Sequence, residues 1–254
     1  MPSLKIIMIG VWFGLLALGE RLAPAARRPV GGTRLLRNVG LWAANSLMNP
    51  FMTVPIAVSA AALDLWTRPE MPIWAELALD LLMLDLWTYV WHRANHERRF
   101  LWRFHRVHHL DQFLDTSTAV RFHPGEVLIS ALARTPLIVA ADIELTALLV
   151  FDSLVLAGAL FHHSNLRLPP SFEAALRLLI VTPSHHWVHH HARHADTNSN
   201  YGTVLTVWDR VFRSWSPTAR SPEMAIGVEE ADDQSLASLA VAPFRPLAGP
   251  ASEA

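Results

Sequence analysis

Cysteine is missing from the 254 residues, which excludes disulfides, thiolate zinc sites, iron–sulfur clusters, covalent c-type haem and cysteine nucleophiles. Charge is scarce too: Asp, Glu, Lys and Arg make up 17% of the chain, against roughly 25% in an ordinary soluble domain. With 52% hydrophobic residues, this argues against a disordered protein. The 21 basic and 22 acidic side chains leave a formal net charge of −1, so there is no excess to attract a polyanion and nucleic acid is not a partner. Glycine, at 11 residues, is outnumbered by histidine, at 14. Every histidine lies between His92 and His194.

Long uncharged runs organise the chain as an all-α, integral membrane helical bundle with four or five membrane-inserted segments. Val39 to Leu63 is uncharged and longer than the roughly 20 residues that cross a bilayer. Ile6 to Gly19 is a shorter run. It reads either as a signal-peptide core before Ala23-Pro24-Ala25 or, with flanking residues snorkelling, as a span from Leu4 to Leu22; the span is the favoured reading. Ile73 to Trp91 carries Glu76, Asp80 and Asp85, acids that at membrane depth belong on a polar interior. Val127–Ala141 and Leu145–Phe161, interrupted by Arg134, Pro136 and Asp152, form a helical hairpin that crosses or only dips. Residues 1–75 are thus N-terminal transmembrane segments, 76–215 the catalytic domain and 216–254 a C-terminal cytoplasmic tail with little chemistry of its own. Arginines concentrate between the first two runs and after the third, which places both regions, and the histidine-rich cap with them, on the cytoplasmic face.

The histidines follow fixed spacings. His92 and His96 stand at i and i+4, and stepping back along the same helical stripe reaches Tyr89 and Asp85. A carboxylate such as Asp85 there would accept the second ring N–H of a metal-bound imidazole and fix its tautomer. His105, His108 and His109, and again His186, His189 and His190, stand at i, i+3 and i+4. That spacing gathers three imidazoles to coordinate one cation or to divide between two. Two triplets and a pair are too many ligands for one metal. One of His162 and His163 is a further candidate, and His194 would extend the site. His185 and His191 point off the triplet's face, as supports or exposed side chains. For His123, before Pro124, structural and functional roles are equally open. Trp42, Phe51, Trp87 and Phe151 are candidates to line a slot for an apolar tail, although lipid-facing packing is the favoured role for each taken singly.

Other site types lack their letters. His96-Glu97 is followed three positions on by Phe100, so there is no H-E-x-x-H. No Glu is followed three residues later by His, as a ferritin-like dimetal bundle requires. Neither a nucleophile elbow, a P-loop nor a dinucleotide fingerprint is present.

The ordered boxes Asp85-x-x-x-Tyr89-x-x-His92-Arg93-x-x-His96, Leu101-Trp102-x-Phe104-His105-x-Val107-His108-His109 and Thr182-Pro183-Ser184-His185-His186-x-Val188-His189-His190 resemble those of the fatty acid hydroxylase and sterol desaturase superfamily. Asn200-Tyr201-Gly202, Trp208-Asp209-Arg210-Val211-Phe212, His163-Ser164-Asn165 and His123-Pro124 match further landmarks. After Phe212 the family commonly continues Gly-Thr-aromatic, whereas this chain has Arg213-Ser214-Trp215. The resemblance implies a membrane oxidoreductase that uses O₂ to hydroxylate or desaturate a lipid such as a sterol, a fatty acyl chain or an ether lipid. It implies a non-haem centre of two iron ions, with zinc as the other possible metal. The ligands would be His92, His96, His105, His108, His109, His163, His186, His189 and His190, supported by Asp85, Tyr89, His185 and Asn165. An unactivated C–H bond requires a redox metal. The chain has no flavin, nicotinamide or haem motif, so electrons would come from a separate donor: a b-type cytochrome, a ferredoxin or a flavoprotein reductase. The competing reading is a redox-silent dizinc hydrolase or a metal-binding or transport protein.

Overall fold

The computed structural model describes residues 2–246, so the last residues of the C-terminal tail lie outside it. Among the described residues the architecture is all-helical, with four isolated β-bridges and no strand. The apolar runs become α1 (Pro2–Leu22), α2 (Thr33–Met48), α3 (Thr53–Ala61), α4 (Ile73–Glu97), α6 (Pro124–Ala140) and α7 (Leu145–His162), with α5 (Arg99–His109) between α4 and α6. Short helices follow: α8 (Pro170–Leu176), α9 (Pro183–His189), α10 (His194–Thr197), α11 (Val207–Val211) and α12 (Leu236–Val241). Among the described residues α7 alone is long and apolar enough to cross a membrane.

The uncharged run from Val39 to Leu63 is not one helix. It breaks at a 3₁₀ turn, Asn49–Phe51, where Pro50 has no N–H to continue the ladder. The hairpin expected over 127–161 forms, as α6 and α7, and its two polar interruptions meet: Arg134 Nη1 donates to Asp152 Oδ1 at 2.7 Å. The acids of α4 are partnered as well. Asp80 accepts from Arg68 at 2.6 Å, and Asp85 accepts from the backbone N–H groups of Val204 and Leu205 and from Trp208 Nε1.

One apolar core unites Ala60, Leu84, Ile138, Leu148 and Phe151 from α3, α4, α6 and α7. Phe151 is therefore core rather than slot, while Trp42 and Phe51 are exposed and Trp87 stacks on Trp91. A second core joins Leu41, Val107 and Leu110 to Leu239 of α12. The described part of the tail is thus built into the fold, and its Asp233 pairs with the fully buried Arg121. α1 is built in too: Leu16 is buried, Trp12 Nε1 donates to Ala157 O, and Glu20 accepts from Thr116 and Asn165.

Candidate metal centre

Nine imidazoles converge in two groups. His92, His96, His105, His109 and His189 form one, and His108, His163, His186 and His190 the other, with the ligand atoms of each group within 4.8 Å of one another. All nine were expected from the sequence as ligands. Each triplet is split: α5 sends His105 and His109 to the first group and His108 to the second, while α9 sends His189 to the first and His186, with His190 at its C-cap, to the second. Positions i and i+4 share a partner, and the residue between them, rotated by about 60–100° on a 3.6-residue helix, faces the neighbouring group.

Hydrogen bonds fix the ring orientations. A carbonyl can only accept, so Nδ1–H must donate where Nδ1 meets one. His92 donates to Tyr201 O at 2.8 Å, His108 to Arg121 O at 3.1 Å, His163 to Ala159 O at 2.8 Å and His189 to Ser199 O at 2.7 Å. His105 Nδ1 donates to Glu126 Oε1 at 2.6 Å. With the ring's one proton held on Nδ1, Nε2 in these five is left as a bare lone pair. His108 Nε2 and His163 Nε2 nevertheless lie 3.0 Å apart, with His186 Nε2 a further 3.0 Å from His163 Nε2 and His190 Nε2 3.1 Å from His186 Nε2.

Two lone pairs at that distance repel unless a cation lies between them. Donors about 2.1 Å from one ion, at right angles, are about 3.0 Å apart. His105 Nε2, His189 Nε2 and both ring nitrogens of His96 and His109 are buried without a hydrogen-bond partner. A native interior leaves such atoms unpaired only where something else satisfies them. The residues therefore fit two metal ions, each held by neutral imidazole. Burial, followed by the nearness of neighbouring rings, pushes His108, His109, His186, His189 and His190 far below the ordinary histidine range, which keeps these nitrogens unprotonated at neutral pH.

The expected supports take other places. Among the described residues Asp85 makes no hydrogen bond to a histidine; it ties down the 204–208 loop, and backbone carbonyls do the tautomer-fixing work assigned to it. Tyr89 OH pairs with Ser214 Oγ at 2.7 Å and its ring stacks on Phe212. The stripe is a true helical face, but its lower half meets residues 201–214 and only its last turn reaches the imidazoles. Asn165 clamps both backbone groups of Ala26. His185 is held by Asp209 at 3.2 Å on the far side of α9. His162 packs against the His186 ring, with centroids 4.1 Å apart, yet belongs to neither group. His123 caps α6, accepting from Gly125 N and donating to Ala240 O. His194 bonds to Asn198 at the surface, and half-exposed His191 pairs with Asp196.

Glu126 and Tyr201 carry roles that the letters did not assign. Glu126, in the first turn of α6, is 21 positions from His105 and carries no local signal beyond that of an acid suited to a helix N-terminus. Tyr201 offers its carbonyl to His92 and its ring to His96, with centroids 5.3 Å apart. The loop presenting it is organised by buried Asp209, which accepts from Tyr201 N, Gly202 N and Ser214 Oγ. A Cβ at Gly202 would lie 2.8 Å from both Asp209 Oδ2 and Leu205 O, so no larger residue fits there. At the family's customary Gly-Thr position, Arg213 takes the left-handed conformation, with φ 58°. Ser214 supplies the hydroxyl that bridges Asp209 and Tyr89.

Comparison with known proteins matches the sequence that builds this site to a family. The fatty acid hydroxylase family model matches residues 77–214, a segment holding all nine clustered histidines. Ornithine lipid hydroxylase OlsE of Rhizobium tropici is 28% identical over 227 residues, covering 84% of this chain and 67% of that protein. Alkylglycerol monooxygenase of Danio rerio is 33% identical over 141 residues, covering 55% of this chain but 30% of the relative. The human alkylglycerol monooxygenase is 32% identical over 133 residues, covering 52% of this chain and 28% of the relative. The chain therefore spans less than a third of the length of the alkylglycerol monooxygenases it matches. No solved structure matches. The matched segment takes in more than half of the chain and brackets both histidine groups, and the chain belongs to the fatty acid hydroxylase family.

Proposed function

We propose that this chain is a membrane-embedded lipid hydroxylase that uses O₂ at a two-iron centre, with desaturation as the variant outcome. The carrying observation is the convergence of bare Nε2 lone pairs into two adjacent, buried, all-imidazole groups. The relative that covers most of the chain is named a lipid hydroxylase, which favours insertion of oxygen over removal of hydrogen. A membrane setting is supported by the apolar side chains left exposed on the long helices, among them Ile7, Met8, Val11, Leu15 and Leu18 on α1 and Leu149, Val150 and Leu154 on α7. Four or five segments enter the bilayer, with the broken α2–α3 run entering as two pieces, and the histidines face the cytoplasm.

Hydroxylation places one oxygen atom of O₂ in a C–H bond and reduces the other to water with two electrons and two protons. The metal pair supplies this redox chemistry, which no side chain of the protein can. The protein's own groups hold the site ready for it. His92, His108, His163 and His189 keep a proton on Nδ1 by donating to carbonyls, and His105 by donating to Glu126, so that each Nε2 stays available as a ligand. Burial of eight of the nine rings excludes water, which protects a reactive site from side reactions. Electrons come from a separate carrier, a b-type cytochrome, ferredoxin or flavoprotein reductase, and the substrate is a membrane lipid.

Lipid profiling of cells expressing the wild type or His108→Ala, under oxygen-18 labelled O₂, tests the reaction. We expect one labelled hydroxyl in a membrane lipid, absent from the variant. A hydrolysed lipid without label, lost in the variant, would overturn the reading in favour of a redox-silent hydrolase. Orientation is tested in the cysteine-free background by labelling Val30→Cys and Arg99→Cys, two exposed positions, both of which should react only from the cytoplasmic side.

A further inference from the structure

Behind α9, on the side away from the clustered imidazoles, lies a cavity of about 300 Å³. α9 contributes Ser184, His185 and Val188 to this wall, while its His186 and His189, with His190 at the C-cap, turn to the metal groups. The remaining walls come from α8 and the residues flanking it, Arg167, Leu168 and Arg177, from Asn200 and from residues 215–220. Three guanidinium groups line it, those of Arg167, Arg177 and Arg220, against a single carboxylate, Glu173.

That carboxylate is already engaged. Glu173 Oε1 accepts from Ser184 N at 2.8 Å, and Oε2 stands 3.7 Å from Arg220. Arg220 lies over the Trp187 ring and donates to Leu166 O. Arg177 lies 5.5 Å from the centroid of the Trp215 ring. Among the described residues neither Arg177 nor Arg167 has a carboxylate partner. The cavity therefore carries about two uncompensated positive charges, with Arg177 and Arg220 partly buried in its wall and Arg167 at its exposed rim, a set of guanidinium groups suited to phosphate oxygens. No role in the two-metal centre accounts for them.

Size and position narrow the ligand. At about 300 Å³ the cavity stands at the small end of ligand pockets; it admits a charged headgroup but no long alkyl chain. α8 begins eight residues after α7 ends, and the segment forming this wall exposes Phe172, Leu178 and Leu179, 55%, 57% and 68% accessible. Apolar side chains beside arginines at the end of a membrane helix suit the lipid–water interface.

We propose that this cavity is a binding site for a phosphate-class anion, supplied by the headgroup of a membrane lipid. Its chain lies outside the cavity along the Phe172, Leu178 and Leu179 surface. The choice of a lipid as the source rests on the membrane reading above; the anion site itself does not. A bound phosphate would brace α9 from behind, on the helix that carries ligands to both metal groups.

The test uses the purified full chain and native mass spectrometry. It compares retention of phosphatidylglycerol with that of diacylglycerol of the same chains, and adds inorganic phosphate as a separate arm. We expect at least a tenfold preference for phosphatidylglycerol, reduced by roughly tenfold for each guanidinium removed in Arg167→Gln and Arg177→Gln. Arg103→Gln, whose guanidinium donates to Arg245 O and does not line the cavity, should keep the preference. Metal content and elution volume of each variant report folding; should one of the two arginine variants fail there, the other carries the comparison. Saturable binding of inorganic phosphate that is lost in the arginine variants, without lipid preference, would support the anion site and assign it to the free ion. No preference in the wild type together with no phosphate binding, or variants that bind as the wild type does, would overturn the proposal.

Discussion

Glu126 offers the sharpest test of how the centre is held. Its Oε1 accepts from His105 Nδ1 at 2.6 Å between side chains that are 8% and 3% exposed, so the bond is charge-assisted and shielded from water. Glu126→Gln keeps the shape and one acceptor but removes the charge. Loss of such a partner costs roughly 10–100-fold in metal affinity, or about 1.4–2.7 kcal/mol. Glu126→Ala also strands a buried Nδ1–H, at about 1–3 kcal/mol more. His105 belongs only to the five-histidine group, so chelator titration followed by elemental analysis should show one ion of two released early, with the other as resistant as in the wild type. In a His105→Ala background, Glu126→Ala should add little, because the partner is gone. If both Glu126 variants retain two ions at wild-type chelator resistance, the hydrogen bond does not set ligand strength and the reasoning fails.

Arg213→Gly should be neutral to stabilising by up to about 1 kcal/mol. The left-handed backbone costs a non-glycine residue about 1–2 kcal/mol, partly offset by the greater chain entropy of glycine when unfolded; a lower thermal midpoint would contradict this. The metal-free protein should lose stability on acidification. His163 is pushed down to about 4 by burial, against roughly 6.5 in the unfolded chain. The folded state then binds fewer protons than the unfolded state between those values, and stability present above about pH 6.5 drains away as pH falls towards 4. Urea midpoints at pH 7.5, 6 and 5 check the sign, and a midpoint that rises on acidification would refute it.

The sequence by itself picked out the nine histidines that the fold brings together and determined that the helices carrying most of them form. The i, i+3, i+4 spacing is a property of one helix, so α5 and α9 present their rings as the letters predict, and the hairpin of α6 and α7 follows from two consecutive apolar runs. Local pattern was also enough to set His191 off the triplet's face, whereas His194, expected to extend the site, is turned to the surface and bonds to Asn198. Local pattern could not show how the triplets are shared, because one helical face subtends enough angle to serve one ion or two. The packing of α4, α5 and α9 around a common centre makes that choice. Nor could it identify the groups that hold the rings, because four of the five are backbone carbonyls, identical at every residue, and the fifth, Glu126, is brought to His105 by the chain's return between α5 and α6. Asp85 was misassigned for the same reason: a stripe on α4 fixes which way a carboxylate points, but only the neighbouring 204–208 loop decides what it meets. The break at Pro50, visible as a residue, became a break in the helix because proline has no N–H to continue the ladder. The arginines around the α8–α9 cavity, up to 53 residues apart in sequence, converge only once the chain has folded.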